Sequence, residues 1–543
     1  MSQPVPLGGL SPCSNRVMNL ANFLTQAARR HPDEVGFVWG EKTWTFAAME
    51  ARVNAMAVAL ARDFGVKKGD RVLVQSSNCN QMFESMFACF RLGAVWVPTN
   101  YRQSPEEVAY LAQASGACGM ICGAAFAGHA EACRETAPGV AFVISIGPSD
   151  FGEDYDALVE RHAGMTFAHT PVDRDDPCWF FFTSGTTGRP KAAVLTHGQM
   201  AFVITNHLCD LMPGTGVGDA SIVVAPLSHG AGIHQLTQVA HGVKTVLPAF
   251  EKLDVAAVWQ LIERWKITNV FTVPTILKML VEDPSVDRYD HSSLRYVIYA
   301  GAPMYRTDQK RALAKLGAVL VQYFGLGEVT GAITVLPPSR HYLEDGPEAR
   351  IGTCGFERTG MQVQIQDADG VEVDVGQTGE ICVIGPAVFV GYYNNPDANE
   401  KAFRNGWFRT GDLGHMDGEG FIYITGRSSD MYISGGSNIY PREIEEKILL
   451  HPDISEVAVL GVPDPVWGEV GLAVCVLRKG ADAADIDLRS WLDGKMARYK
   501  LPKTFVFWDA LPKSAYGKIT KRLIREELQR RGQMPTLEQA PTA

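Results

Sequence analysis

Residues 179–191, Trp-Phe-Phe-Phe-Thr-Ser-Gly-Thr-Thr-Gly-Arg-Pro-Lys, limit what this chain can become more than any other stretch. Four consecutive aromatic residues read as a buried strand. The nine residues that follow hold two glycines, four hydroxyls, a proline, an arginine and a lysine. Glycine lets a backbone come close to a phosphate, hydroxyl and N–H groups donate to its oxygens, and Lys191 with Arg189 supplies positive charge. The spacing rules out the P-loop pattern G-x-x-x-x-G-K-[ST]: Gly185 and Gly188 are three apart, and Ala192 follows Lys191. A solvated hydroxyl-rich turn is the competing reading. The buried-type strand before the loop and the apolar residues 192–195 after it favour a phosphate cradle.

The pattern around this loop is α/β. Strand-like runs at 179–182, 221–225, 269–273, 294–299 and 318–322 each end in a loop rich in glycine, proline or hydroxyls, and helical periodicities separate them. In one largely parallel sheet those five loops would meet in a single crevice at the carboxyl ends of the strands. Upstream, helices are expected over 20–30 and 47–62 and strands over 72–75 and 94–97, a scaffold of sheet and helices. Residues 108–130 carry no Asp, Glu, Lys or Arg, which raises a membrane question. Glycines at 116, 119, 123 and 128 and the capping box Ser104-Pro105-Glu106-Glu107 favour a helix, a turn and a short buried strand instead.

A chain of 543 residues is too long for one core. Its net charge of −10 is spread along the sequence, which argues against nucleic acid or an anionic membrane as the main partner, so a polyanionic ligand needs a local basic site. The eleven cysteines are odd in number and scattered, with neither a disulfide framework nor zinc-ligand spacing, as expected of a reducing, cytoplasmic compartment. Nothing demands a partner protein, and oligomeric state is not readable.

Several loop residues have useful chemistry, each beside an ordinary explanation. Phe324 suits stacking on a base, or fills the core. Glu328 is a hard oxygen donor for Mg²⁺, or a solvated carboxylate. His229 could orient a substrate, or be incidental. Asp412, read as lying in a tight turn after aromatic residues, could accept from ribose hydroxyls or simply form the turn. After residue 364 short strands and turns dominate, the run 426–430 reads as a linker, and a small α+β unit of ~110 residues follows, with helices expected over 443–450 and 488–496. Lys518 sits after a glycine in a loop before the last helix, which by itself is a solvated basic turn.

Taken in order, 183–191, 324–328, 407–412, 426–445 and 512–518 resemble the adenylate-forming superfamily of acyl-CoA synthetases, adenylation domains and beetle luciferases, over nearly the whole chain. The resemblance implies an N-terminal domain over 1–426, made of two sheet-and-helix subdomains plus a small barrel-like part, a hinge at 427–430, and a mobile α+β domain over 431–543. It implies ATP, Mg²⁺ and coenzyme A. Thr183, Ser184, Gly185, Thr186, Thr187, Gly188 and Lys191 would close over the phosphates. Glu328 would help hold Mg²⁺, with Gly325 and Gly327 beside it. Gly301, Ala302 and Pro303 with Phe324 would bracket adenine, Asp412 and Arg427 would take the ribose side, and Lys518 would join the acid's carboxylate to the α-phosphate. Ser434, Gly435 and Gly436 would line a pantetheine tunnel, with Trp467 and Lys500 toward the rest of CoA; for Trp467 core packing is the alternative.

By the same resemblance His229, Gly230, Ala231, Tyr299, Ala300, Tyr323 and Leu326 line the acyl pocket. The small residues at 230–232 and 331–332 are expected to leave room for an acyl chain or a ring. No arginine or lysine lies in these stretches to pair with a second carboxylate, which points to a medium-chain fatty or aryl monocarboxylic acid. Two departures stand out: Gly327 where the family has threonine, and Ser429 at the hinge where it has an acidic residue or lysine. The alternatives are an adenylation enzyme that loads a carrier protein, a non-catalytic ATP sensor, and a γ-phosphoryl transferase, the last disfavoured by the absence of a P-loop or kinase signature.

Overall fold

The computed structural model describes residues 17–184, 189–250, 252–302, 304–513 and 519–535. Its first sheet runs in the order Glu153–Asp154, Val143–Ile146, Gly119–Gly123, Arg71–Gln75, Val95–Pro98, Pro177–Ser184, Pro190–Thr196, parallel except for the last hairpin. The second begins with the hairpin Val35–Trp39 and Lys42–Thr45 and continues through the parallel strands Lys244–Leu247, Ala220–Val223, Asn269–Thr272, Tyr296–Tyr299 and Leu320–Phe324. Antiparallel strands extend its edge without a break, from Thr334–Leu336 to Gln362–Gln366. The five loop-bearing strands therefore divide between two sheets rather than sharing one. An early strand, Val35–Trp39, crosses to the second sheet, a pairing that local periodicity does not specify.

A single apolar core joins the two sheets through the helices Phe46–Arg62, Asn80–Leu92, His197–Asp210 and Gly230–Ala240. All of Asn80–Leu92 is buried, so its charged residues need partners. Glu84 meets Arg52 at 2.7 Å and Arg91 meets Glu50 at 2.6 Å. Separate cores cover the outer faces, one beneath Pro105–Ser115 and Ala127–Thr136, the other beneath Val255–Trp265, Pro274–Glu282 and Arg306–Leu316. The Ser104 capping box forms as expected, and Gly116 ends that helix in the left-handed conformation. None of the described helices is long and apolar enough to cross a membrane.

A third sheet, from Tyr432–Ser434 to Thr504–Trp508, pairs Ile454–Asp464 with Gly468–Leu477 and carries an apolar cluster on each face. The helix expected over 488–496 is only Leu488–Leu492, because Asp493 is extended and Gly494 turns left-handed. Helix Pro441–Ile448 docks on the large body: Arg442 Nη1 donates to the Ile424 carbonyl at 2.9 Å.

Candidate functional site

Residues 177–196 form a hairpin, the loop expected after strand 179–182 being closed by an antiparallel return strand. Its strands pair in register through Thr183↔Lys191 and Ser184↔Pro190. Gly185, Thr186, Thr187 and Gly188 at its tip lie outside the described residues. Thr183 points across the gap between the sheets, its Oγ1 donating to Glu328 Oε1 at 2.9 Å. The Tyr392 hydroxyl donates to the same oxygen at 2.9 Å. The backbone locks this arrangement: Tyr393 N donates to Ala192 O, Val194 N to Gly391 O, and Phe389 N to Glu328 O. Burial, then the Glu328 carboxylate, pushes the Tyr392 phenol well above its ordinary value, so it remains a donor. Lys191 Nζ lies 5.1 Å from the centre of the Tyr392 ring. Glu328 is thus a buried, hydrogen-bonded carboxylate, not a solvated loop residue.

Glycines shape the loop that presents Glu328. A β-carbon at Gly325 would lie 2.5 Å from the backbone of Gly331, and one at Gly331, where φ is +78°, would lie 2.3 Å from the Tyr323 ring. Gly327 has a specific neighbour too. A β-carbon there would lie 2.6 Å from the Phe181 ring, so the space for a threonine at this position is taken by an aromatic of the hairpin.

Asp412 lies in the extended strand Trp407–Met416, paired across to Arg427, and its amide also donates to the Thr410 hydroxyl two residues back. It is buried, and Arg427 Nε meets its Oδ1 at 2.9 Å while the arginine stays half exposed. The Arg427 charge also acts on the Tyr392 hydroxyl, which ties this pair to the Glu328 cluster. Phe324 is half-buried at the end of its strand. The neighbouring parallel strand ends at Tyr299, and Gly301 and Ala302 just beyond it are exposed, with φ of 83° at Gly301. Pro303 lies outside the described residues. No group of three metal-ligating side chains occurs among the described residues. A buried carboxylate such as Glu328 is a hard oxygen donor of the kind that can share a metal with a polyphosphate.

On the acyl side the structure separates residues the sequence grouped. Ala231, Ala300 and Tyr323 belong to the central core, and Leu326 packs against it. Tyr299 faces the other way, because neighbours along a strand alternate. Its hydroxyl sits among Gln322, Gln309 and His341, so it lines no pocket on the central side. The small residues do not simply leave space. A β-carbon at Gly230 would meet Phe271 at 2.7 Å, and one at Gly232 would meet the Leu227 carbonyl at 2.1 Å. They admit close neighbours, among them Phe271 and Tyr323, whose rings stack with centroids 5.9 Å apart. His229 Nδ1 is 2.9 Å from Ser228 Oγ, and its ring meets Phe181 edge-on at 4.9 Å.

Ser434, Gly435 and Gly436 make the turn into Ser437–Ile439, with φ of 54° and 81° at the glycines. The Gly435 amide donates to the Trp467 carbonyl at 2.9 Å, and the indole lies so close that a β-carbon on Gly435 would sit 2.8 Å from it. Trp467 is 51% exposed, which excludes core packing. Lys500 Nζ is held by both oxygens of Glu443 at 2.9 and 2.6 Å. Lys518 lies outside the described residues, while Lys513 and Ile519 pair across the ends of its loop. Sequence reasoning missed Tyr392 and Phe181 as site residues. The first looked like one of two tyrosines in a short strand and the second like core, and only tertiary contacts distinguish them.

The family profile described as AMP-binding enzyme matches residues 24–393, and the profile described as AMP-binding enzyme C-terminal domain matches 443–518. Over 513 residues the chain is 35% identical to a feruloyl-CoA synthase from an Amycolatopsis species, covering 94% of this chain and 99% of that protein. It is 34% identical over 515 residues to the indoleacetate–CoA ligase of Aromatoleum aromaticum, covering 95% and 99%. The solved o-succinylbenzoate CoA synthetase of Bacillus subtilis, in complex with the acyl-adenylate intermediate OSB-AMP, superposes with a TM-score of 0.81 at 30% identity, over 93% of this chain and 98% of that one.

Proposed function

The chain belongs to the AMP-binding enzyme family, and from that premise we propose that it is an ATP-dependent carboxylic acid–CoA ligase acting in two steps on one cleft. The acid's carboxylate oxygen attacks the α-phosphorus of ATP, the bond to the β-phosphate breaks and pyrophosphate leaves. The thiol of CoA then attacks the acyl carbon of the adenylate, and AMP leaves. The observation that carries this reading is the convergence of Thr183 and Tyr392 on Glu328, with the Asp412–Arg427 pair alongside.

An anionic nucleophile must approach an anionic phosphate, so the protein's work in the first step is neutralisation and alignment. Lys191 and the 183–188 loop would close on the phosphates, and Glu328, held by its two hydroxyl donors, would help hold Mg²⁺. Mg²⁺ supplies charge neutralisation on the phosphate oxygens. Asp412 accepts from the ribose hydroxyls and Arg427 reaches the ribose and phosphate side. Phe324 and Gly301 to Pro303 bracket the adenine, and Lys518 joins carboxylate and α-phosphate. For the second step the domain beyond 427–430 turns about that hinge and presents the glycine turn at 434–436 as the thiol's path, with Trp467 as a platform for the CoA base.

The stacked Phe271 and Tyr323 rings favour an aryl acid over a fatty chain, as do the aromatic acids in the names of the first two relatives. The ten described cysteines are free, which fits a cytoplasmic setting. A pyrophosphate-release screen over aryl and fatty acids, with and without CoA, tests the reading. Release with an acid, and acyl-CoA plus AMP when CoA is added, is expected. ADP in place of AMP, or no turnover with any acid, contradicts it.

A further inference from the structure

Behind the stacked rings of Phe271 and Tyr323 the core is not apolar. Arg358, which follows strand Thr353–Glu357, has a side chain with 0% exposure, and its backbone amide bonds Ile333 beside the proposed pocket. Its nearest carboxylate, Asp210, stands 3.6 Å from Nε, beyond hydrogen-bond range. That carboxylate is already engaged by Asn206 Nδ2 and by the amide and hydroxyl of Thr359. Nε and Nη1 of Arg358 have no hydrogen-bond partner among the described residues. Nη2 faces His207 Nδ1 at 3.2 Å, but the same nitrogen lies 3.0 Å from the Val203 carbonyl. It can offer a lone pair to the arginine or a proton to the carbonyl, not both. The His207 ring is 6.0 Å from Tyr323, and His234 is 6.0 Å from Phe271. His234 Nε2 lies 2.9 Å from Asn269 Oδ1 and 3.1 Å from Gln238 Nε2, and its Nδ1 is buried with no hydrogen-bond partner among the described residues.

A buried guanidinium with spare N–H groups is costly unless something accepts from them. We infer that the far end of the acid, opposite its carboxylate, carries a neutral hydroxyl-type acceptor, and that Arg358 is the residue that selects it. The inference rests on the ligase reading and extends it to the substrate's other end. Charge decides between acceptors. Burial lowers the Arg358 guanidinium to about 10, so it stays a cation at neutral pH, offset by Asp210. Burial also depresses both histidines, His234 to about 4 and His207 well below its ordinary value, so they stay neutral. The site is balanced already, and a second carboxylate would bring in an unpaired buried charge. A hydroxyl on an aryl ring fits: it accepts from a guanidinium, can donate to an imidazole, and adds no charge.

The test uses matched acids on the full-length enzyme, measured as pyrophosphate release: benzoate, phenylacetate, cinnamate and octanoate, each beside its terminal or para-hydroxyl and carboxyl analogues. The wild-type enzyme is expected to prefer the hydroxyl analogue of the pair it uses best by at least about tenfold in kcat/KM, with the carboxyl analogue no better than the plain acid. Arg358→Met should reduce that preference below about threefold by lowering kcat/KM for the hydroxyl analogue far more than for the plain acid. Equal use of hydroxylated and plain acids by the wild type overturns the inference but leaves the ligase reading intact, as does a preference that survives Arg358→Met. Because that variant leaves Asp210 buried without its cation, Arg358→Met/Asp210→Asn is made in parallel. If neither folds, the wild-type comparison decides alone.

Discussion

The surroundings of Glu328 and the turn at Ser434 to Gly436 are built in opposite ways. Glu328 is buried, takes two hydroxyl donors on one oxygen, and its backbone carbonyl accepts from Phe389 N. The glycine turn sits beside a half-exposed Trp467, with the ion pair Lys500–Glu443 at the surface. The contrast matches the demands of the two proposed half-reactions. Charge stabilisation is strongest when the dipoles are fixed in advance in a dry site, whereas a thioester arm needs an open path past small residues.

Variants on the two sides should therefore separate the steps. Lys518→Ala is expected to show the largest effect, a loss of about 10²–10³-fold in adenylate formation, with a supplied acyl-adenylate still converted to the thioester at close to the normal rate. Equal loss in both assays would erase the distinction. Trp467→Ala should raise the KM for CoA about tenfold, the cost of one stacking platform, with pyrophosphate release in the absence of CoA unchanged. A drop in that first-step rate would place the indole in the wrong half-reaction.

Acid should act on the large body. His197, His234 and His341 are lowered by burial to about 4, so between roughly pH 6.5 and 4 the unfolded chain binds protons that the folded chain does not. The stability they contribute is complete above the upper value and is lost as pH falls, by up to about 1.4 kcal/mol per pH unit for each. His341→Gln should flatten the decline of Tm between pH 6.5 and 4.5, and an unchanged slope would remove His341 from the account. The smallest effect belongs to Tyr392→Phe, which removes one of the two donors on Glu328. At about 1 kcal/mol it should cost adenylation about fivefold and leave thioester formation from supplied adenylate alone.

How far the sequence revealed this site depends on whether the information is local. The strand at 179–182 with the loop after it, the capping box at Ser104 and the glycines of 325–331 declare themselves because strand, helix start and turn are set by neighbouring residues, whereas the antiparallel return of Pro190–Thr196 does not. The crossing of Val35–Trp39 to the second sheet does not, since pairing partners far along the chain leave no local trace. Tyr299 was placed by its position in a motif, yet the alternation of strand faces turns it to the outer core. Arg358 escaped because a charge in sequence reads as surface, and only the packing around it reveals a buried guanidinium whose Nε and Nη1 lack hydrogen-bond partners among the described residues. Gly327 looked like a missing hydroxyl, and the structure gives its counterpart, the Phe181 ring.

The central claim is that the acid becomes activated by bonding to AMP. Its most direct test supplies a carboxylic acid labelled with ¹⁸O in both carboxyl oxygens, with ATP and CoA, and reads the label by mass spectrometry. The account predicts one ¹⁸O in each AMP formed and none in pyrophosphate, because the oxygen that attacks the α-phosphorus leaves with it. Label in inorganic phosphate with ADP as product, or acyl-CoA formed with unlabelled AMP, would contradict it.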